Sequence, residues 1–524
     1  MINVKVNVEN KRGMKMKLTK KLVAVLVGIV VMGTSLVGFT SLETKAAQQF
    51  SAASSTTQKV QYKKPKYIFT FIGDGMSYVQ LNAANIYQGV TEKGDLNLGN
   101  LAVSEFPVVG SATTQDATSF CPDSASTATA ISSGIKTHSG VIGYNADKQT
   151  KPESITEKLK KEGYKVGIVT SVSIDHATPA AFYAHVVSRS DMYDIALQLA
   201  DSGFDYFAGG SLVQPKGKNG DKRDAFEIIE EKGYKIADSK EEIMALNDQS
   251  GKVYAISPNL QDSQAMTYEV DANKDELRLK DFVEKGIDVL DNEDGFFMMV
   301  EGGKIDWAGH ANDARSNIGD VIALNEAIEV AVDFANEHPE ETLIIVTGDH
   351  ETGGMTIGQA TTGYNTAFDV LENQKMSYIE FDKLIGEYKA SKPKDQAKLE
   401  DLLPVIKENF GLVTSKDKDA AKNPALVLTD YEYKKLEKAF EETMKEKDER
   451  SEGEEATALY GGYEPLSVTL THILNNKAGI GWTSYSHTGV PVPVYAMGQG
   501  QELFNGSYDN TDIFDKLVEI CGLK

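Results

Sequence analysis

The stretch Lys66–Gly75, with the sequence KYIFTFIGDG, is an apolar run that ends in an aspartate between two glycines, and it decides the fold. Aromatic and β-branched residues in a short run bounded by glycine are typical of a buried strand. The same pattern recurs three times, and carboxylate or histidine side chains follow each run. The three recurrences are KVGIVT at Lys165–Thr170, GFFMMV at Gly295–Val300 and LIIVT at Leu343–Thr347. The sequence therefore predicts four buried strands that lead into polar side chains.

Segments with helical character alternate with these runs. Examples are Ser77–Gln88, Ser154–Glu162 and Asp320–Asn336. Alternation of this kind predicts an α/β protein, a three-layer α/β/α sandwich with a mostly parallel central sheet. The carboxyl ends of parallel strands lie at one edge of such a sheet, and ligands bind there. We therefore expect the polar side chains after the four runs to line one shared crevice.

The character of the chain changes after about residue 360. Residues 361–465 are rich in Lys, Glu and Asp with helical spacing, as in Tyr431–Lys447. We interpret them as an inserted helical module that covers the core, forms a subunit contact or faces solvent. The strand pattern returns at Val490–Met497. The sequence thus predicts a catalytic α/β core in two parts, residues 65–360 and 466–524.

The N-terminal residues 1–47 have the features of an export signal. Lys21 and earlier lysines precede the uncharged apolar run Leu22–Gly38, and small residues follow at Ala46-Ala47. Cleavage after this segment is the first expectation, and an uncleaved membrane anchor through residues 22–38 is the alternative. Residues 48–64, rich in Ser, Thr and Gln, are expected to form a disordered tether. Both alternatives predict an exported protein, secreted or held at the cell surface, in an extracellular or periplasmic location.

Charge and cysteine content exclude several classes of function. Residues 1–47 carry 8 basic and 2 acidic residues, which leaves 46 basic against 75 acidic residues and a formal charge of −29. Such a surface repels nucleic acid, so no nucleic-acid-binding surface is expected, and a site for an anionic substrate must be locally positive. Cys121 and Cys521 are the only cysteines, too few for a disulfide scaffold, and we expect free or buried thiols.

Asp123 and Ser124 stand at the start of a helix of small residues. Asp123 suits an N-cap, which places Ser124 in the first turn, where free backbone N–H groups and the helix dipole favour an anion. A serine there can attack phosphate if a metal lowers the pKa of its hydroxyl. The alternative is that Ser124 belongs to an ordinary helix start.

Aspartate and histidine side chains near the predicted strands can supply six metal ligands. Asp306 and His310 share a face if their segment is helical, although a structural pair on a helix surface has the same spacing. The six residues are Asp74, Asp306, His310, Asp349, His350 and His487. They suffice for two three-ligand sites with open positions, and two metals can hold both reacting oxygens of a phosphoryl transfer. The pattern indicates a metalloenzyme.

These motifs together resemble the alkaline phosphatase family, although each is weak alone. The resemblance spans about residues 66–357 and 466–524. The motifs are Phe71–Met76, Pro122–Ala125 with Thr127–Ala130, Glu301–Asp306 with His310, Thr347–Gly354, and the late His487-Thr488-Gly489.

The resemblance implies hydrolysis of phosphate monoesters to alcohol and inorganic phosphate through a phosphoserine at Ser124. It implies that Arg189 grips two phosphate oxygens, a task that suits its planar fork. The implied ligand sets are Asp306, His310 and His487 for one zinc, Asp74, Asp349 and His350 for a second zinc, and Glu301 and Thr178 with Asp74 for a third site, usually magnesium.

Two positions depart from the best-known bacterial pattern of the family. His176 stands where that pattern has Asp beside the third metal, and Trp307 stands where it has Lys. Because Mg²⁺ prefers oxygen ligands, we expect a looser or water-mediated third site with competition from zinc or cobalt. His176, Trp307 and Asp123 are expected to lie beside the third site or behind the ligands, with Trp307 as a wall of the substrate pocket or as a packing residue.

Other functions remain as alternatives. A sulfatase needs a Cys/Ser-x-Pro-x-Arg signature, which the Cys121–Ser124 stretch lacks, and related diesterases commonly use Thr as nucleophile without the matching arginine. Ser124 together with Arg189 therefore favours monoesters. A non-catalytic surface protein that binds phosphate is the alternative from another class, and monomer and homodimer both stay open. His338 and His472 lie outside every motif and are expected on the surface.

Overall fold

The run KYIFTFIG contains strand β1, Tyr67–Gly73, which lies near the middle of a ten-stranded sheet and is buried along its whole length. The structure is a computed structural model that describes residues 62–94 and 96–524. The expected export signal, its apolar run and nearly all of the expected tether lie outside the described residues. Among the described helices, none has the length and hydropathy that a bilayer-spanning segment requires.

The sheet is parallel except for one strand. Its strands, in spatial order, are β14 (Gly506–Asp509), β2 (Val108–Thr113), β13 (Val492–Gly498), β8 (Thr342–Gly348), β1, β7 (Phe296–Gly302), β3 (Lys165–Thr170), β4 (Tyr206–Gly209), β6 (Lys252–Ile256) and β5 (Tyr234–Ala237). Only β13 runs antiparallel to its neighbours. The four predicted strands are β1, β3, β7 and β8, and they are adjacent. The predicted fold class is confirmed.

The register of the central strands brings their carboxyl ends level. Gly73 at the end of β1 is paired with Gly302 of β7 on one side and with Gly348 of β8 on the other. On β3, Thr170 pairs with Glu301. The residues after these strands therefore enter the same space, as the sequence predicts.

Helices and short ladders complete the described part of the chain. The helices are α1 (Tyr78–Lys93), α2 (Ser124–Ser133), α3 (Ile155–Lys161), α4 (Ala177–Ala180), α5 (Met192–Ser202), α6 (Ala225–Glu231), α7 (Lys240–Met244), α8 (Leu279–Leu290), α9 (Lys304–His310), α10 (Ala314–Glu337), α11 (Tyr378–Ser391), α12 (Leu399–Phe410), α13 (Asp430–Thr443), α14 (Glu454–Tyr460), α15 (Pro465–Ala478) and α16 (Thr511–Cys521). Two small antiparallel ladders pair β9 (Glu351–Thr352) with β12 (His487–Thr488) and β10 (Thr356–Ile357) with β11 (Ile480–Gly481). Short 3₁₀ helices lie at Ala102–Glu105, Asp262–Gln264, Phe368–Asn373, Pro424–Leu426, Lys447–Glu449 and Gln501–Phe504.

The charge-rich segment 361–465 contains α11 to α14 and contributes to the main hydrophobic core. Phe381 and Leu436 from this segment are buried in the same apolar cluster as Phe69 of β1. Helices α11 to α13 therefore cover apolar surface with one face and carry their Lys, Glu and Asp residues on the other, which is the amphipathic arrangement of surface helices. The boundaries of this module at residues 361 and 465 stay a prediction.

Cys121 is exposed, Cys521 is buried, and both are free thiols, so the expectation of unpaired cysteines is confirmed.

Candidate functional site

Asp74, Asp349 and His350 meet where β1 and β8 end. The Nε2 atom of His350 lies 3.3 Å from Asp74 Oδ1 and 3.3 Å from Asp349 Oδ2, and all three side chains are buried. Asp349 is held by the Gly75 amide at 3.2 Å and by the Thr127 hydroxyl at 3.0 Å. One ligand atom from each of the three residues lies within 4.8 Å of the others, close enough to share a cation.

Gly75 lets the backbone turn tightly beside this group. Its φ is +70°, a region that suits glycine, and a Cβ built there would lie 2.8 Å from Thr352 Oγ1 and 2.9 Å from the Asp306 Cα. The glycine after Asp74 therefore brings the ligand-bearing segments of β1, β9 and α9 together.

Ser124 opens α2 and points at this group. The carboxylate of Asp123 accepts a hydrogen bond from the Ser126 amide at 3.1 Å, which confirms the predicted N-cap. Ser124 Oγ lies 3.2 Å from His350 Nε2 and 3.4 Å from Asp74 Oδ1. The hydroxyl is thus within hydrogen-bonding distance of two potential metal ligands, at a helix end that favours anions.

Asp306, His310 and His487 form a neighbouring group. Asp306 and His310 lie four apart on α9, with Asp306 Oδ2 3.4 Å from His310 Nε2, and Asp306 Oδ1 lies 3.5 Å from His487 Nε2. The two Nε2 atoms are 3.0 Å apart. The Nδ1 atom of His310 lies 2.6 Å from the Tyr485 carbonyl oxygen. The Nδ1 atom of His487 lies 2.5 Å from the Pro122 carbonyl oxygen.

These backbone contacts favour a metal between the rings. A carbonyl oxygen only accepts, so Nδ1 of each ring carries the proton, and each neutral ring presents an Nε2 lone pair. Burial lowers the pKa of His487, which keeps that ring neutral. Two facing lone pairs repel each other, and a cation held jointly with Asp306 removes the repulsion. The donor set of two imidazoles and one carboxylate fits zinc.

His350 lies between the two groups. Its ring stacks on that of His487 with centroids 3.7 Å apart, and Asp306, His350 and His487 also offer ligand atoms within 4.8 Å of one another. Sequence reasoning assigned His350 to one group only and gave no reason to expect this stacking. The six predicted ligands therefore lie in one continuous cluster.

A third group lies on the other side of Asp74. Asp74, His176 and Glu301 present ligand atoms within 4.8 Å, and Thr178 donates its hydroxyl to Asp74 Oδ2 at 3.3 Å. His176 Nδ1 and Glu301 Oε1 are buried, 3.9 Å apart, and have no hydrogen-bond partner among the described residues. Buried polar atoms normally have partners, so a cation or water fits between these side chains.

Arg189 and Trp307 border this third group. Arg189 donates one N–H to Asp123 Oδ2 at 3.0 Å and another to His176 Nε2 at 3.0 Å, and its side chain is 30% exposed. The Trp307 ring lies 5.9 Å from the His176 ring and 5.2 Å from the Lys304 ammonium. The guanidinium is therefore oriented by Asp123 and His176, and the arginine side chain is partly exposed to solvent.

The site contains more buried carboxylates than cationic side chains. Burial and the neighbouring Asp349 raise the pKa of Asp74 well above its usual value, and burial with the nearby Asp306 raises the pKa of Asp349 to about 7. Several carboxylates are thus packed together without enough cationic side chains, and metal ions would relieve their repulsion.

His472 and His338, the two histidines expected on the surface, are both partly buried. His472 Nε2 lies 3.0 Å from Asn312 Oδ1, and burial lowers the pKa of His472 to about 4. Asn312 also donates to the Gly309 carbonyl at 2.9 Å and to the Ser484 carbonyl at 2.9 Å, so it joins the end of α9 to the loop before His487. His338 likewise packs against aromatic rings rather than lying free in solvent. No local pattern marks such contacts between distant segments.

The fold and site define an α/β enzyme in which a serine and several metal-ligand side chains meet at the ends of parallel strands. The model of the alkaline phosphatase family matches residues 65–208 and 202–523, and the chain belongs to that family. It is a phosphomonoesterase, and the predicted family and enzyme class are confirmed. The family is metal-dependent, and the site's ligand groups agree with that.

Relatives with known names agree along nearly the whole chain. Alkaline phosphatase 3 of Bacillus subtilis is 30% identical over 507 residues, covering 95% of this chain and 96% of its own. The repressible alkaline phosphatase of Saccharomyces cerevisiae is 27% identical, covering 88% of this chain and 82% of its own. The cold-active alkaline phosphatase of Shewanella sp. superposes with a TM-score of 0.69 at 26% identity, covering 87% of this chain and 99% of its own.

Proposed function

We propose that this chain hydrolyses phosphate monoesters by transferring the phosphoryl group to Ser124 and then to water. The single observation that supports this most strongly is the position of Ser124 Oγ, 3.2 Å from His350 Nε2 and 3.4 Å from Asp74 Oδ1. A serine that serves only as the first residue of a helix does not need to point at metal ligands. The hydroxyl attacks phosphorus, the alcohol leaves, and water then releases inorganic phosphate and regenerates Ser124.

Arg189 binds and orients the phosphate in this proposal. Asp123 holds one end of the guanidinium and His176 the other, so the fork keeps one orientation before substrate arrives. An arginine fork matches two phosphate oxygens, whereas lysine offers a point charge. The first-turn amides of α2 supply further donors beside Ser124.

We assign two zinc ions and one magnesium ion to the site. Asp306, His310 and His487 would hold one zinc, and Asp74, Asp349 and His350 the other. When bound, the zinc ions lower the pKa of the serine hydroxyl and stabilise the leaving oxygen. Both donor sets mix imidazole with carboxylate, which suits zinc, and both cluster tightly in the structure.

The third ion would be held by oxygen atoms of Asp74, Glu301 and Thr178. Arginine can only donate, so His176 Nε2 accepts from Arg189 and the ring proton is on Nδ1, which faces Glu301 Oε1 at 3.9 Å. A water beside both atoms would give each of them a hydrogen-bond partner, which supports a water-mediated third site. A histidine-to-aspartate variant of the alkaline phosphatase from the Antarctic bacterium TAB5, 25% identical to this chain, contains Mg in its M3 site.

Replacement of the nucleophile tests the proposal. In Ser124→Ala we expect hydrolysis of p-nitrophenyl phosphate at alkaline pH to fall on the order of 10³-fold or more, because no phosphoserine can form. Phosphate affinity should persist, since Arg189 and the ligands remain. A brief reaction with ³²P-labelled substrate followed by acid quenching should label the wild-type chain at Ser124 and leave Ser124→Ala unlabelled.

Two results would contradict the proposal. Retained turnover in Ser124→Ala would exclude this serine as nucleophile, and absence of turnover in the fully metallated wild type would favour a non-catalytic phosphate-binding protein. Bis(p-nitrophenyl) phosphate is the control substrate, because preferential turnover of this diester would favour a phosphodiesterase.

Location and organisation complete the proposal. Residues 1–47 direct export, residues 65–360 and 466–524 form the catalytic core, and residues 361–465 cover its apolar surface. N-terminal sequencing of the exported protein tests the cleavage, and an intact apolar run at residues 22–38 would favour the membrane-anchored alternative. Sedimentation of the purified protein decides between monomer and homodimer.

A further inference from the structure

Glu351 is a buried carboxylate that binds three segments of the site together. It is 1% exposed and follows His350 directly. Its Oε1 accepts from Gln80 Nε2 at 2.7 Å and from the Met355 amide at 3.2 Å. Its Oε2 accepts from the Gly354 amide at 3.1 Å and, through a short bond, from the Thr488 hydroxyl.

Each segment in contact with Glu351 leads directly to a metal-ligand side chain. Thr488 is next to His487, and Glu351 is next to His350. Gln80 accepts from the Ser77 amide at 2.9 Å, in the turn that leaves Asp74. One carboxylate thus connects the turn after β1, the turn after β8 and the strand β12.

None of the described residues that bond Glu351 is cationic. All four donors are neutral amides or a hydroxyl. A buried carboxylate without a cationic partner costs free energy unless several hydrogen bonds stabilise it, so a role in stability alone would be served as well by apolar packing.

The ladder that Glu351 stabilises is very short. His487 pairs with Thr352 and Thr488 pairs with Glu351, and these two pairs are the whole β9–β12 ladder. A two-stranded pairing of this size is not stable by itself in water. The side-chain bond from Thr488 to Glu351 therefore supplies a link that the backbone pairing lacks, and it keeps the His487 ring stacked on the His350 ring at 3.7 Å.

We propose that Glu351, through Thr488, is a positioning residue that holds His350 and His487 in the geometry in which both bind metal. This inference rests on the proposed zinc assignment. Partners behind metal-binding histidines typically change metal affinity by about 10- to 100-fold when they are removed. Loss of the Thr488 link frees His487 to rotate away from Asp306, so zinc binds more weakly while Ser124 and Arg189 stay in place.

Variants of Thr488 test the link more selectively than variants of Glu351. A change at Thr488 removes one hydrogen bond, whereas a change at Glu351 affects all four donors. Thr488→Val keeps the shape and removes the hydroxyl, and Thr488→Ser keeps the hydroxyl. Thr483→Val is the matched control: Thr483 lies in the same region and donates to the Gly354 carbonyl at 3.3 Å, but it does not contact Glu351. Glu351→Gln is the direct variant, in which the carboxamide cannot accept from all four donors.

The measurement is zinc affinity of the full-length protein, stripped of metal and titrated with zinc against a chromophoric chelator. We expect Thr488→Val and Glu351→Gln to bind zinc about 10- to 100-fold more weakly, Thr488→Ser to restore most of the affinity, and Thr483→Val to match the wild type. Excess zinc should restore kcat in Thr488→Val, which a general folding defect would not allow.

The outcomes separate this inference from the proposed function. Wild-type zinc affinity in Thr488→Val would overturn the role of Glu351 and leave the zinc assignment intact. Failure of the wild type to bind zinc would overturn the assignment itself. If Glu351→Gln does not fold, the three threonine variants still decide the question.

Discussion

At the scale of single side chains, the proposed phosphate site depends on how Arg189 is oriented. Arg189 is fixed from both sides, by Asp123 at 3.0 Å and by His176 at 3.0 Å, although nearly a third of its side chain is exposed. A fixed fork loses little conformational entropy when it binds a phosphate. His176 thus orients the arginine and also belongs to the third group of candidate ligands.

Arg189→Lys tests this arrangement. We expect kcat/KM for p-nitrophenyl phosphate to fall about 10- to 100-fold and inhibition by inorganic phosphate to weaken similarly, because two charge-assisted hydrogen bonds become one point contact. Steady-state kinetics with phosphate as inhibitor measure both effects. Arg223→Lys is the control, since Arg223 is a surface residue paired with Glu227 and Glu231. An unchanged phosphate inhibition constant in Arg189→Lys would show that this arginine does not bind phosphate.

Helix contacts decide how the charge-rich segment attaches to the core. Asp382 of α11 accepts a hydrogen bond from the Ser467 hydroxyl of α15, so a helix of the 361–465 segment meets a helix of the second core part. Burial raises the pKa of Asp382 to about 7, against the hydrogen bond from Ser467, which lowers it. The Asp382 carboxyl is therefore protonated at mildly acidic pH.

The raised pKa of Asp382 predicts a dependence of stability on pH. Between about pH 4 and pH 7 the folded state holds a proton that the unfolded state has lost, so this group makes the free energy of unfolding fall as pH rises, with no further change above about pH 7. In Asp382→Asn that part of the dependence should disappear, and the variant should be more stable than the wild type at pH 8. Thermal unfolding from pH 4 to pH 8 measures it.

Asp395→Asn is the control for this prediction, because Asp395 is an exposed aspartate of the same segment. Parallel curves for Asp382→Asn and the wild type across the whole pH range would contradict the prediction.

The protein as a whole combines a strongly acidic surface with a site that needs cations. The full chain carries 77 acidic against 54 basic residues, and the site adds carboxylates packed together in the interior. An anionic substrate is repelled at long range by such a protein, so metal ions and Arg189 must supply the local attraction. Bound metal is therefore expected to serve folding as well as catalysis.

Removal of metal should destabilise the fold. After exhaustive chelation we expect the unfolding temperature to fall by several degrees and to recover on addition of zinc with magnesium, because ligands that bind only the folded state stabilise it by mass action. Differential scanning calorimetry measures the shift. Ser124→Ala should show the same shift as the wild type, since it keeps every carboxylate and imidazole of the site. Equal unfolding temperatures with and without metal would mean that the clustered side chains do not bind ions.

The sequence by itself determined the four central strands β1, β3, β7 and β8, the helix that starts at Ser124 and the residue types of the site. Runs such as KYIFTFI at residues 66–72 encode burial locally, and an N-cap such as Asp123 marks its own helix. The shared crevice at the ends of β1, β3, β7 and β8 also followed, because the carboxyl ends of parallel strands lie at one edge of a sheet.

Only the tertiary structure decided which distant side chains bind each other. The stacking of His350 on His487, the contact of His472 with Asn312 and the bond from Thr488 to Glu351 join segments that are more than a hundred positions apart. Local periodicity reports which face of an element is buried. It does not report which partner lies on that face, because the partner is set by sheet register and by the packing of the whole core.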